Sequence, residues 1–247
     1  MIRLLLPFRI YREACDYLSE FIYRGAVFVD SFWLTKVLGI KIDVVGPLPI
    51  DKKEKLLVIS NHHSWFDIFL LQHIVSTQGP ILKFLVKRAL VYVPIIGWIC
   101  LALRFPLLNR SSDKEKRKSD YKSVQSATMA LQETPVALLN FVEGTRFTPQ
   151  KRLKQDSAFE VLLNPRSGGL KIMIEGLPEA SILDVTLAYP SDNQSFWQCL
   201  SGNLKKIDVH IERHSIKEID DLNQWLNDIW QEKEQRILLS RNQSLSI

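Results

Sequence analysis

The sequence predicts an α/β fold, a mixed β-sheet covered by helices, with N-terminal and C-terminal helices. Two observations carry this. Short apolar runs of strand length alternate with longer stretches of helical periodicity. Hydrophobic residues make up 46% and charged residues 24% of the 247-residue chain, the balance of a globular protein. No Gly/Ser linker, repeat or low-complexity tract divides it. The simplest organisation is an N-terminal helical, membrane-proximal segment over 1–40, an α/β domain over 41–215, and a C-terminal amphipathic helix within 216–247 packed on that domain.

In chain order, the pattern predicts a helix over 10–38, where aromatics mix with charges through Trp33. Strands follow over 40–46 and 55–60, the second containing Leu56-Leu57-Val58-Ile59. A helix over 66–77 and a strand over 81–86 come next. The stretch 114–133 reads as helix; its basic start, Lys114-Glu115-Lys116-Arg117-Lys118, is interleaved with acids and so reads as a solvated face. Val136-Ala137-Leu138-Leu139-Asn140-Phe141 is a buried strand, and further strands are expected over 170–175, 183–189 and 205–212. Leu222, Trp225, Leu226, Ile229, Trp230 and Ile237 mark the apolar face of the last helix.

Two polar segments follow apolar strands directly. The first is Asn61-His62-His63-Ser64-Trp65-Phe66-Asp67. Histidine exchanges a proton near neutral pH, and a carboxylate on its far nitrogen fixes the tautomer and stabilises the imidazolium. Five positions separate His62 from Asp67, which in a continuous helix turns the side chains apart. They meet only if His62 lies on a loop after the strand and Asp67 in the first turn of the next helix. Ser64 to Asp67 equally fits a loose capping box. The second segment is Val142-Glu143-Gly144-Thr145-Arg146. Here glycine allows close backbone approach, threonine offers a hydroxyl and arginine a planar fork suited to phosphate. A tight turn with a Glu–Arg surface pair is the plainer reading. Ligands in open α/β sheets gather beyond the carboxyl ends of strands, so both loops could face one cleft.

These residues resemble the blocks of the glycerolipid acyltransferases, which include the lysophosphatidate acyltransferases. The first block, Asn-His-x-x-x-x-Asp, is matched by Asn61, His62 and Asp67. The third is matched by Phe141, Glu143, Gly144, Thr145 and Arg146. Phe105-Pro106-Leu107-Leu108-Asn109-Arg110 resembles the second. Pro165 is the candidate for the fourth, a proline near a strand. The resemblance covers about residues 40 to 215. Asn140 to Thr148, Asp184 to Pro190 and the tail from Gln224 to Lys233 look most like the bacterial YihG-type branch, related to the lysocardiolipin-type acyltransferases. It departs from the pattern at Arg104, where a glycine is frequent, and at Arg166, where an apolar strand usually follows the proline.

The resemblance implies transfer of a fatty acyl group from acyl-CoA or acyl carrier protein to the hydroxyl of a lysophospholipid, with lysophosphatidate the leading acceptor. His62 is then the general base and Asp67 its orienter. Asn61, Arg110, Glu143, Gly144, Thr145 and Arg146 bind substrate, and the reaction needs no metal or cofactor beyond the acyl donor. Two other classes stand beside this reading. A serine-type lipid hydrolase would share histidine and aspartate, but the chain lacks a Gly-x-Ser-x-Gly elbow. A membrane-binding member of the fold without activity would have no need of these side chains.

The formal charge of +5 suits an anionic membrane surface or substrate. No zinc-finger spacing, basic heptad region or single-strand stacking motif points to nucleic acid. Cys15, Cys100 and Cys199 sit among apolar residues and read as packed thiols. The five histidines lack zinc-site spacing. No charge-free run reaches the roughly 18 residues that suggest a membrane span. The apolar stretch 89–103 reads first as a buried core segment and second as a surface that dips into lipid; the start at 4–8, with its flanking basic residues, suits an interfacial helix or an amphipathic helix packed on the domain. The expected location is the cytoplasmic face of the bacterial inner membrane, peripheral or anchored by a segment absent from this chain.

Overall fold

The computed structural model describes residues 9–84, 86–87, 91–92, 105, 107–108, 125, 128–129, 131–132, 134–192 and 194–245. The helix expected over 114–133, the apolar stretches 4–8 and 89–103 and Arg110 fall wholly or largely outside them.

The strands are β1 (Lys41–Val45), β2 (Lys55–Ser60), β3 (Leu82–Phe84), β4 (Val86–Lys87), β5 (Leu107–Leu108), β6 (Val136–Phe141), β7 (Ser181–Ala188) and β8 (Lys206–Ser215). Six of them form one sheet in the order β1-β8-β7-β2-β6-β3, and β4 and β5 pair separately. β7, β2, β6 and β3 run parallel, while β8 lies antiparallel to β7 and carries β1 with it. This is the mixed sheet expected.

β2 sits inside the sheet and is buried on both faces. Leu56 and Val58 join one apolar layer, and Leu57 and Ile59 join the other. That explains why its sequence is a continuous apolar run rather than an alternation. The first layer is closed by Leu70 and Leu71 of helix α2 (Asp67–Leu71), by Phe66 just before it and by Leu34. The second is closed by Leu170 and Met173 of α4 (Ser167–Gly176) and by Leu226, Ile229, Trp230 and Ile237 of α6 (Leu222–Leu245). Between α2 and α4 lies the short helix α3 (Pro149–Lys154), and α5 (Phe196–Leu200) precedes β8.

α4 corrects one expectation. Residues 170–175 were expected to form a strand, yet they are helical. An apolar run of strand length does not separate strand from helix by periodicity. Leu170 and Met173, three apart, face the core in a helix, and the fourth-block candidate Pro165 therefore precedes a helix rather than a strand.

The first helix, α1 (Arg9–Phe32), continues into a π-turn over Trp33–Val37. Tyr23 and Val27 are buried on its inner side. The Tyr23 hydroxyl donates to the Leu82 carbonyl at 3.1 Å, and burial raises the pKa of that phenol. Tyr17, Leu18, Phe21, Ile22, Phe28, Val29 and Phe32 are all more than half exposed. Their three- and four-residue spacing puts them along one outer stripe. No helix among the described residues is long and apolar enough to cross a membrane.

Candidate active site

The register brings the two motif loops together. Ser60 at the end of β2 pairs with Phe141 at the end of β6 and with Val185 of parallel β7. The loops after β2 and β6 and the segment after β7 thus emerge at the same edge of the sheet, the carboxyl end where α/β sheets build sites.

The bend required between His62 and Asp67 is present. Residues 61–64 form an open loop and Asp67 opens α2. His62 Nδ1 lies 2.8 Å from Asp67 Oδ2. The same oxygen accepts from His63 N at 2.7 Å and Ser64 N at 2.9 Å. Only half of the capping-box pattern is present: the carboxylate reaches back to Ser64 N, but Ser64 Oγ accepts from Phe66 N and the helix has no side-chain cap, so the loop N–H groups are what aim the carboxylate at His62. Tyr189, just past β7, donates its hydroxyl to Asp67 Oδ1 at 2.7 Å. A carboxylate only accepts, so Nδ1 carries the proton and Nε2 keeps its lone pair. Nε2 has no protein hydrogen-bond partner among the described residues. The His62 ring stacks on Phe141, with centroids 3.8 Å apart, which leaves it little rotational freedom.

His63 is built differently. Its ring lies between Tyr189 and Phe147, at centroid distances of 5.0 and 5.9 Å. Its Nε2 lies 3.1 Å from the Asp192 carbonyl, so Nε2 is the donor. Burial lowers its pKa, against the opposing pull of Asp67 and Asp192.

Asn61 bridges strands. Its Nδ2 donates to the Leu187 carbonyl at 3.0 Å and its Oδ1 accepts from Leu187 N at 2.9 Å. The side-chain amide thereby prolongs the β2–β7 ladder by one rung, and both its ends are engaged with backbone.

Glu143 is fully buried beneath the loop, and its Oε2 accepts from His62 N at 3.3 Å. Burial pushes its pKa up to about 8. Gly144 turns the chain at φ +72°, a conformation that a side chain disfavours. Phe147 N donates to the His62 carbonyl at 2.7 Å, tying the second loop to the first. Thr145 accepts from Lys151 Nζ at 2.7 Å, and the same ammonium donates to the Arg146 carbonyl at 2.9 Å. Lys151 stands in α3, whose cap is Thr148 and whose first residue is Pro149. Its pKa is lowered by burial and by the nearby Arg146. The Arg146 guanidinium lies over the Trp65 ring, 5.2 Å from its centroid. Arg166 N donates to the Val142 carbonyl at 2.8 Å, and its side chain passes beside Gly144. Arg146, Lys151 and Arg166 thus bring three cationic side chains to the second loop.

Sequence reasoning named His62, Asp67, Glu143, Gly144, Thr145 and Arg146, and the fold gathers them. Arg110 lies outside the described residues. Lys151, Arg166 and Tyr189 were not singled out for a role. The cap signal Thr148-Pro149 could have marked Lys151 as lying in the first turn of a helix that starts just after the motif.

Ser64 does not resemble a nucleophile. It is buried, and its Oγ accepts from Phe66 N at 3.2 Å. One group among the described residues has metal-ligand spacing, Asp184 with Glu212 and His214. Cations of the protein already meet its carboxylates. Lys233 Nζ lies 2.6 Å from Asp184 and Arg236 reaches Glu212 at 2.5 Å.

Comparison with known proteins agrees with this geometry. The Acyltransferase family matches residues 41–189, and Acyltransferase C-terminus matches 198–238. Lysocardiolipin acyltransferase 1 of Gallus gallus is 28% identical over 224 residues, covering 83% of this chain and 58% of its own length. The 1-acyl-sn-glycerol-3-phosphate acyltransferase 3 of Arabidopsis thaliana is 25% identical, covering 92% and 64%. The chain thus spans about three-fifths of the length of these relatives. The crystal structure of the 1-acyl-sn-glycerophosphate (LPA) acyltransferase PlsC from Thermotoga maritima superposes with a TM-score of 0.58 at 17% identity, covering 95% of this chain and 85% of that one, and so shares the fold. With the family matched across the sheet and both motif loops, this chain belongs to the acyltransferase family.

Proposed function

We propose that the chain transfers a fatty acyl group from a thioester, acyl-CoA or acyl carrier protein, to the hydroxyl of a lysophospholipid, with lysophosphatidate as the preferred acceptor. The observation that carries the reading is the His62–Asp67 pair, with Nδ1 engaged and Nε2 free. His62 Nε2 takes the proton of the acceptor hydroxyl as its oxygen attacks the thioester carbonyl. Asp67 stabilises the imidazolium that forms. The tetrahedral intermediate collapses, the carbon–sulfur bond breaks, and the proton passes from Nε2 to the leaving thiolate. The products are the acylated lipid and a free thiol. No acyl-enzyme is needed, in keeping with a Ser64 hydroxyl occupied by the turn.

Arg146 binds the acceptor phosphate, and Lys151, Thr145 and Gly144 shape that subsite beside it. A phosphomonoester near neutral pH carries close to two charges, which suits the cations gathered there. The YihG-type branch is the assignment we favour, on the Asp184 to Pro190 segment. The apolar stripe of α1 rests on an anionic membrane surface, at the cytoplasmic face of the bacterial inner membrane, where the acceptor resides. The experiment is transfer of labelled acyl groups from acyl-CoA and from acyl carrier protein to a panel of lysolipids. Labelled phosphatidate with equal release of free thiol supports the reading. Labelled free fatty acid without lipid product favours a hydrolase and refutes it.

A further inference from the structure

The two oxygens of the Asp67 carboxylate have different partners. Oδ2 serves His62 and the backbone N–H groups of His63 and Ser64. Oδ1 receives the Tyr189 hydroxyl at 2.7 Å. Tyr189 belongs to neither motif loop and stands 122 positions from Asp67. It is 1% exposed and Asp67 is 0% exposed, so the bond is shielded from bulk solvent.

Its placement is enforced from three sides. The ring stacks on His63 at 5.0 Å. Its carbonyl accepts from Arg241 Nε at 3.1 Å, and the same guanidinium binds Asp192 at 2.6 Å. Asp192 in turn accepts from His63. Helix α6 thus clamps the segment after β7, and that segment presents a phenol to the carboxylate.

We propose that Tyr189 is a positioning residue of the proton-transfer pair: its hydroxyl holds Asp67 Oδ1 and moderates the carboxylate's basicity toward His62. This rests on the reading of His62 as the base. A donor on one oxygen withdraws charge from the whole carboxylate, so the imidazolium of His62 is stabilised less than by a bare carboxylate. The ionisable groups around Asp67 are His62 and His63 in its own loop, Glu143 below, Tyr189 after β7 and Cys199 in α5. Burial keeps Tyr189 and Cys199 protonated, the thiol pushed up to about 12. It also lowers His63. Glu143, pushed up to about 8, is already protonated on the acid side, and any contribution of His63 is read separately from the profile of His63→Ala.

The test is Tyr189→Phe, which deletes one hydroxyl and keeps the ring in its stack. kcat should fall roughly tenfold, the order of one hydrogen bond to a charged group, because the loss of the bond that positions the carboxylate outweighs its greater basicity, with KM unchanged. The acid limb of the kcat/KM profile should move to higher pH, because the unshielded carboxylate favours the imidazolium. A fluorinated tyrosine installed at position 189 is a stronger donor of the same shape, and should move that limb to lower pH. It also decides the matter if Tyr189→Phe fails to fold. A purely structural tyrosine would lower the melting temperature and the rate at every pH, with the limb unmoved in both variants; that result overturns the proposal. His62→Ala assayed in parallel separates the two assignments. If it retains activity, the base and Tyr189 assignments both fall. If it is inactive while both Tyr189 variants keep the parent profile, only the role of Tyr189 falls.

Discussion

At the scale of residues, burial sorts the ionisable groups of the site into those that move protons and those that hold shape. Glu143 illustrates the second kind. Its ordinary value of 4.5 is pushed up to about 8 by burial, so the folded protein holds a proton that the unfolded chain has released over that window. Folding then binds a proton, and the stability associated with Glu143 is full below about pH 4.5 and lost as pH rises through about 8. Glu143→Gln does not titrate. Its melting temperature should gain on the parent steadily between these limits, as followed by calorimetry across pH; parallel melting curves would contradict the assignment. At Arg146, the planar fork over Trp65 is the feature invoked for phosphate. Arg146→Lys keeps the charge and loses the fork. Acceptor use should weaken by about 1.5–3 kcal/mol, seen in the acceptor kcat/KM; unchanged acceptor kinetics would remove Arg146 from the site. The five-residue spacing of His62 and Asp67 was legible because it forces a loop-to-helix bend whatever the rest of the fold does. The Tyr189 bond was not, because it depends on β7 lying beside β2, and nothing local to either segment encodes that neighbour. Asn61 is similar: its amide reads as a site residue in sequence, yet it spends both ends on Leu187 across the same strand pair.

Among the elements, β2, β6, β7 and the last helix were readable from apolar pattern, since each buries a long and regular face. Residues 170–175 were not, because a short apolar run serves strand and helix alike until its neighbours are known. In α6 the pattern pointed to Leu226, Ile229, Trp230 and Ile237, but it hid Lys233, which occupies the same face one turn on. Lys233 is fully buried, bonded to Asp184 at 2.6 Å, to the Val185 carbonyl at 3.0 Å and to Thr186 at 3.1 Å. Burial lowers its pKa, against the pull of Asp184. It pins α6 to β7, the strand whose end carries Tyr189. Lys233→Met leaves the Asp184 charge buried without its partner. It should cost roughly 3–5 kcal/mol in chemical denaturation, and adding Asp184→Leu should recover most of that loss. If the single and double variants are equally unstable, the pair is not what joins helix to sheet.

The whole molecule combines a site at the carboxyl edge of the sheet with an apolar stripe on its first helix. Phe21, Phe28 and Phe32 stand out in solvent on that stripe. Apolar insertion and attraction to anionic headgroups act together at a bilayer surface, and salt weakens the second. The protein should float with anionic vesicles at low salt and less so at high salt. Replacing the three phenylalanines with serine should release it at either salt concentration; equal flotation of parent and variant would show that the stripe does not meet lipid. The chemistry itself is tested most directly by transfer of a labelled acyl group from acyl-CoA to lysophosphatidate, comparing the parent, His62→Ala and His63→Ala. General-base catalysis is worth roughly 10²–10⁴-fold, so His62→Ala should lose about that much labelled phosphatidate formation at unchanged melting temperature. His63→Ala, which removes a packing ring and no base, should lose far less. Equal losses in the two variants, or a loss confined to His63→Ala, would contradict the account.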